Sequence, residues 1–149
     1  MIITLQLNGY KKSIEIEPHE YLLDVLRRNG CPGVKRGCDT GSCGACTVLM
    51  DEKPVLSCTV LAAKADGRSI TTIEGLQGEM AELAKAMTEE GAEQCGYCSP
   101  GLAVMILWLK KNHPNANEEE IKHLLVGNLC RCSGYAGQLR GIQRYLGVK

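Results

Sequence analysis

Apolar and polar residues alternate along two runs near the start of the chain. Every second residue from Ile3 to Leu7 is apolar, and Ile14 and Ile16 alternate with polar residues in the second run. Such alternation is typical of half-buried strands, and the Asn8-Gly9 sequence between the runs is one that tight hairpin turns favour. The chain is therefore predicted to open with a β-hairpin.

The rest of the first half predicts one helix and three further strands. Residues 22–28 have apolar positions at helical spacing, and Gly30 stands where such a helix would end. Short apolar or β-branched runs at residues 47–50, 55–58 and 69–73 indicate strands. The first half is thus predicted to be a small mixed sheet packed against one helix.

After Gly75 the apolar pattern changes to the period of helices. Met80, Leu83, Ala84 and Met87 form the stripe of an amphipathic helix. Three more helices are indicated by the start signal Ser99-Pro100, by a capping-box pair at Asn117 and Glu120, and by apolar residues at 139–146. We predict two domains, residues 1–76 and 77–149, with the boundary near residues 76–79.

Composition and charge exclude several classes of partner. The chain has 17 Lys and Arg residues against 17 Asp and Glu, and no basic cluster exceeds two residues, so we expect neither nucleic acid nor an anionic membrane surface as a partner. The longest apolar run, Leu102 to Leu109, is far shorter than the roughly 20 residues of a membrane span. Because the chain begins with a strand pattern and not with a signal peptide, we expect it in the cytoplasm.

Nine cysteines among 149 residues are the main indication of function. In a reducing compartment, clustered thiols usually bind metal or carry out redox chemistry, and the odd count disfavours a disulfide framework. Four cysteines of the first half form one candidate set: Cys38, Cys43, Cys46 and Cys58. The first three have the C-x4-C-x2-C spacing of plant-type 2Fe-2S proteins, which predicts such a cluster here.

The residues around the first set suit a cluster with a net negative charge. Gly37, Gly41 and Gly44 would allow the loop to wrap closely, with backbone N–H groups directed at sulfur. Lys35 and Arg36 would help to offset the negative charge. The fourth ligand, Cys58, is expected to reach the cluster from a strand.

The remaining cysteines of the second half form a second candidate set: Cys95, Cys98, Cys130 and Cys132. Both pairs lie near predicted helix amino termini, where unpaired N–H groups favour negative charge. Zinc, which also takes four thiolates, remains an alternative for this set considered alone, whereas the spacing of the first set favours iron in both. Cys31 is left over and is predicted to be a small buried hydrophobic residue.

Five segments carry a resemblance to a known family: VKRGCDTGSCGACTVLMD (34–51), SCTVLA (57–62), SITTIEGL (69–76), QCGYCSPG (94–101) and GNLCRCSGY (127–135). In these segments and in their order, the chain resembles the iron-sulfur subunit of the molybdenum hydroxylases, the xanthine dehydrogenase, aldehyde oxidoreductase and carbon monoxide dehydrogenase family. The resemblance implies an α+β fold, in which a β-grasp domain like plant-type 2Fe-2S ferredoxin precedes an all-α four-helix domain. Each domain would hold one 2Fe-2S cluster.

The resemblance also implies a function as the electron-transfer subunit of a molybdenum-dependent oxidoreductase. Electrons would pass from a molybdenum-pterin centre through the cluster at Cys95, Cys98, Cys130 and Cys132, then through the cluster at Cys38, Cys43, Cys46 and Cys58, to FAD. Gln94 matches the family glutamine that hydrogen-bonds the pterin, and Cys132 matches the ligand nearest to it. Since this chain has no further residues for flavin or molybdenum, we expect these groups on separate medium and large subunits, and no substrate chemistry on this chain.

Two other functions compete with the relay. A free-standing two-cluster ferredoxin-like electron carrier would use the same cysteines, but such carriers are more often strongly acidic than neutral. A zinc-stabilised interaction module would use them without redox chemistry.

Overall fold

The predicted hairpin is the first feature of the fold. In the computed structural model, which describes residues 1–148, it consists of β1 (Ile2–Leu7) and β2 (Tyr10–Glu15), paired antiparallel. Asn8 and Gly9 have φ values of 51° and 86°, the left-handed conformation that a two-residue hairpin turn requires. The hairpin prediction is confirmed.

Three short strands complete a five-stranded sheet in the order β2-β1-β5-β3-β4. They are β3 (Thr47–Met50), β4 (Lys53–Leu56) and β5 (Ser69–Thr71). Strand β5 is parallel to β1 and antiparallel to β3, which makes the sheet mixed, as predicted. The single helix of this half, α1 (Leu22–Arg28), buries its apolar side chains in the core formed with the sheet.

The predicted strand at residues 55–58 is wrong in its second half. Strand β4 ends at Leu56, and Ser57–Thr59 form a 3-10 turn. The backbone N–H and the hydroxyl of Ser57 both donate to the carbonyl oxygen of Cys46, at 3.3 and 2.8 Å, and direct the chain away from the sheet. Cys58 therefore extends from a turn and not from a strand.

The second half is helical, as predicted, and has its own apolar core. Its helices are α2 (Met80–Glu89), α3 (Ser99–Asn112), α4 (Glu118–Leu125) and α5 (Ala136–Leu146). The capping box at Asn117 and Glu120 is present, with reciprocal bonds of 3.0 and 2.9 Å. One detail of the predicted stripe is wrong, because Ala84 is exposed and Ala86 is buried instead. Among residues 1–148, none of the helices has the length and apolarity to span a bilayer.

The two halves pack together where α3 begins. A Cβ atom placed on Gly101 would lie 2.5 Å from the carbonyl oxygen of Gly44 and 3.1 Å from the backbone of Ala45. Only a glycine therefore allows α3 to rest directly on the cysteine-rich loop of the first half. This contact brings the loop that carries Cys43 and Cys46 next to the start of α3, which directly follows Cys98.

Candidate metal centres

The cysteines of the first set lie in two pairs. The loop between α1 and β3 carries Cys38 and Cys43, whose sulfur atoms are within hydrogen-bonding range of each other. Cys46 lies at the end of this loop, and the Ser57 bonds to its carbonyl hold Cys58 beside it. The structure thus brings together the four residues that the spacing predicted.

The cysteines of the second set also lie in two pairs. The sulfur atoms of Cys95 and Cys132 are 3.5 Å apart, and the thiols of Cys98 and Cys130 lie close enough for each to shift the pKa of the other. Cys95 and Cys98 lie in the loop before α3, and Cys130 and Cys132 lie in the loop before α5. Both loops precede helix amino termini, as predicted.

The pairwise arrangement fits a binuclear cluster better than a single ion. In a tetrahedral site with metal–sulfur bonds near 2.3 Å, each of the four sulfurs is about 3.8 Å from the other three. Among residues 1–148, no three Cys, His, Asp or Glu side chains come close enough to share one metal ion. In a 2Fe-2S cluster each iron binds only two thiolates, so two separate pairs are the donor set that it needs.

Hydrogen-bond donors favour the thiolate form of three cysteines, each from a different pair. Backbone N–H groups, above all that of Ser42, lower the pKa of Cys38 to about 5, and the N–H of Tyr97 lowers the pKa of Cys95. Burial opposes the ionisation of Cys130, yet hydrogen bonds from Ser133 bring its pKa down to about 7. Because the thiolate is the form that binds metal, these donors prepare the sites for a cation.

Burial has the opposite effect on other members of the sets. Loss of solvent, together with the adjacent cysteine of each pair, raises the pKa of Cys58 to about 12 and that of Cys98 to about 11. A thiol in such a position ionises when a metal cation replaces its proton. The donor chemistry therefore fits metal centres in both sets.

The expected role of Arg36 in balancing cluster charge is not supported by the structure. Its guanidinium is bound to both carboxylate oxygens of Asp24, at 2.6 and 2.8 Å, and to Asp39 at 3.0 Å. Two carboxylates therefore already compensate its positive charge. The backbone N–H groups around Cys38 provide the stabilisation instead.

The three glycines of the first loop serve two different purposes. Gly41 and Gly44 have φ values of +68° and +73°, in the left-handed region that the predicted wrapping requires. Gly37 lies outside that region. A glycine is needed there because a Cβ atom would lie 3.0 Å from the sulfur of Cys43.

A cleft of about 270 Å³ lies between the first loop and the cysteines of the second set. The first loop contributes Cys43 to its lining, and all four cysteines of the second set line it. The backbone N–H of Leu129 donates to the carbonyl oxygen of Cys43 at 2.9 Å, and Leu129 directly precedes Cys130. One hydrogen bond therefore links a cysteine of the first set to the chain that carries the second. Leu129 was not predictable as a connecting residue, because nothing in the cysteine spacing shows which of their neighbours form bonds between the domains.

Gln94 and Cys132, predicted to act together, do lie together. Gln94 is exposed, and its side-chain Nε2 donates to the carbonyl oxygen of Cys132 at 3.1 Å. An amide nitrogen has two hydrogens, so Gln94 can hold this contact and still offer a donor and an acceptor outward.

Cys31 lies apart from both sets, in the apolar core between the sheet and α1. It is only 2% exposed, and its polar neighbours include the side-chain amide of Asn8, at 3.9 Å, and the side chain of Thr72. These surroundings agree with its predicted role as a small buried hydrophobic residue.

We expect Cys31→Ala to retain the full iron content and to lower the free energy of unfolding by about 1 kcal/mol, because it removes packing contacts and one weak hydrogen bond from Asn8. Iron analysis and thermal unfolding of the variant measure the two effects. A loss of iron as large as that expected on removal of a cluster ligand would contradict this role.

Comparison with known proteins supports the same kind of site in both halves. Residues 5–72 match the family described as 2Fe-2S iron-sulfur cluster binding domain, and residues 72–143 match the 2Fe-2S binding domain family. The nicotinate dehydrogenase small FeS subunit of Eubacterium barkeri is 46% identical over 136 residues, which is 89% of this chain and 87% of that protein.

Two solved structures share the fold of the whole chain. Quinoline 2-oxidoreductase from Pseudomonas putida 86 superposes with a TM-score of 0.91 at 37% identity, covering 98% of this chain and 93% of that one. Aldehyde oxidoreductase from Desulfovibrio gigas superposes with a TM-score of 0.90 at 34% identity, covering 99% of this chain and 17% of that one. These likenesses confirm the predicted order of a ferredoxin-like domain followed by a helical 2Fe-2S domain.

Proposed function

The chain belongs to the iron-sulfur subunits of the molybdenum hydroxylase family and is thus an electron-transfer subunit of an oxidoreductase; on this premise we propose which residues hold its two 2Fe-2S clusters. Cys38, Cys43, Cys46 and Cys58 hold one cluster. Cys95, Cys98, Cys130 and Cys132 hold the other.

The observation that carries this proposal is the pairing of the sulfur atoms. Each pair corresponds to one iron, so that Cys38 and Cys43 bind one iron of the first cluster, and Cys95 and Cys132 bind one iron of the second. The remaining two pairs bind the other irons. When bound, each 2Fe-2S cluster accepts and releases single electrons.

The protein around the clusters stabilises their negative charge and connects them. N–H groups directed at Cys38 and Cys95 act on the same atoms that bind iron, and such donors tune the reduction potential of a cluster. The bond from the Leu129 N–H to the Cys43 carbonyl gives a short through-bond connection between the two ligand sets.

Exposure indicates which end of the relay meets the molybdenum-pterin subunit. Cys95 and Cys132 are exposed, and so is Gln94, which hydrogen-bonds Cys132. Leu129 and Tyr135 nearby are each 47% exposed, so this end carries large exposed side chains that a partner would cover. We place the large molybdenum-pterin subunit here, with Gln94 toward the pterin, and the FAD subunit beside the first cluster, in a cytoplasmic complex that carries out substrate chemistry outside this chain.

The test is metal and acid-labile sulfide analysis of the protein purified anaerobically from its native host. We expect about four iron and four sulfide per chain, together with molybdenum and larger co-purifying subunits. Zinc without sulfide would replace this function with that of a zinc-stabilised interaction module. The same iron without molybdenum or partners would instead favour a free-standing carrier.

A further inference from the structure

Tyr97 joins the two candidate cluster loops directly. It lies between Cys95 and Cys98, and its hydroxyl donates to the backbone carbonyl oxygen of Arg36, at 2.7 Å. Arg36 stands two residues before Cys38, so one side-chain hydrogen bond connects loops that are 61 positions apart in sequence.

The acceptor of this bond is held in place by other contacts. The guanidinium of Arg36 binds both carboxylate oxygens of Asp24 on α1 and also pairs with Asp39. Bidentate pairing of this kind restricts both the position and the orientation of the arginine. The carbonyl that receives the Tyr97 hydroxyl therefore belongs to a segment anchored to the first domain.

The Tyr97 ring is also positioned, although the residue is 48% exposed. Its Cε1 atom lies 3.8 Å from the point where a Cβ on Gly37 would stand, and the ring centroid lies 6.0 Å from the Nζ of Lys35. The ring thus lies beside the first loop and is part of the lining of the cleft.

From this geometry we infer that Tyr97 is a positioning residue that fixes the distance and orientation between the two clusters. The inference rests on the proposed function, since it requires clusters in both sets. Packing of the domains depends on other contacts, in particular those of Gly44 with Gly101 and of Cys43 with Leu129. Removal of the hydroxyl should therefore loosen the cluster loops without unfolding the protein.

The test compares Tyr97→Phe with Tyr10→Phe in the intact complex. Tyr10 is the control for loss of a tyrosine hydroxyl, because it is exposed and lies on β2, at the edge of the sheet opposite to β3 and β4, which adjoin the cysteines of the first set. We expect both variants to keep wild-type iron and sulfide content. In Tyr97→Phe alone, the amide hydrogens of residues 35–45 should exchange with solvent about fivefold faster than in the wild type. This is the effect expected for the loss of one neutral hydrogen bond.

The second readout is the electron paramagnetic resonance spectrum with both clusters reduced. Two neighbouring spins split each other's signals, and a variable distance or orientation broadens that splitting. We expect a broadened splitting in Tyr97→Phe and an unchanged one in Tyr10→Phe. If Tyr97→Phe has the same splitting and the same exchange rate as the wild type, the positioning role is wrong. Wild-type protein without iron and without any such signal would overturn the proposed function instead.

Discussion

Cys43→Ser is expected to abolish the cluster of the first domain and to leave the cluster of the helical domain intact. The substitution removes one of the two thiolates, those of Cys38 and Cys43, that bind the same iron. The cysteines of the other pair cannot take its place, because they bind the second iron. Iron content of the intact complex should fall from about four to about two per chain. The sulfur pairs of the second set are unaffected because they lie on different loops.

The functional consequence separates the two ends of the relay. Substrate should still reduce the molybdenum centre and the helical-domain cluster, whereas reduction of flavin by substrate should be lost. Rapid-reaction spectroscopy of the complex measures both steps. Cys31→Ala, which removes a thiol from the same domain, serves as the control and should transfer electrons normally. Normal flavin turnover in Cys43→Ser would show that the first set is not part of the path.

Gly101→Ala is expected to destabilise the contact between the domains strongly. Its Cβ would meet the Gly44 oxygen at 2.5 Å and the Ala45 backbone at 3.1 Å, and backbone atoms cannot move aside as a flexible side chain can. Overpacking costs typically 1–3 kcal/mol, so we expect a loss of about 3 kcal/mol and a fall in Tm of roughly 10 °C.

Gly127→Ala is the matched control for this prediction. Gly127 belongs to the same contact, since its carbonyl oxygen lies near Gly44, but a Cβ on Gly127 would have no heavy atom within 4 Å. Thermal unfolding, followed by the visible absorption of the clusters, should show a large shift for Gly101→Ala and a small one for Gly127→Ala. Equal Tm values for the two variants would contradict the tight packing of α3 on the first loop.

Features that depend on neighbouring residues were predictable from the sequence. The hairpin follows from alternation and from Asn8-Gly9, and the start of α4 follows from the Asn117 capping box, because turns and caps are made by residues a few positions apart. The spacing of Cys38, Cys43 and Cys46 predicted a shared site for the same reason, since a short loop limits how far its thiols can separate.

Features that depend on how distant segments pack were decided by the tertiary structure. The turn at Cys58 forms because Ser57 meets the Cys46 carbonyl. The division of each cysteine set into pairs requires loops from different parts of the chain to meet, as Cys95 and Cys132 do.

The sequence by itself thus determined the type of centre, the two-part fold and the candidate ligands, because motif spacing and apolar periodicity are local properties. Only the tertiary structure decided how the two centres are connected. The bonds from Leu129 to Cys43 and from Tyr97 to Arg36 exist because α3 rests on the first loop at Gly101. That contact is made by backbone atoms, whose approach leaves no periodic signal in the sequence.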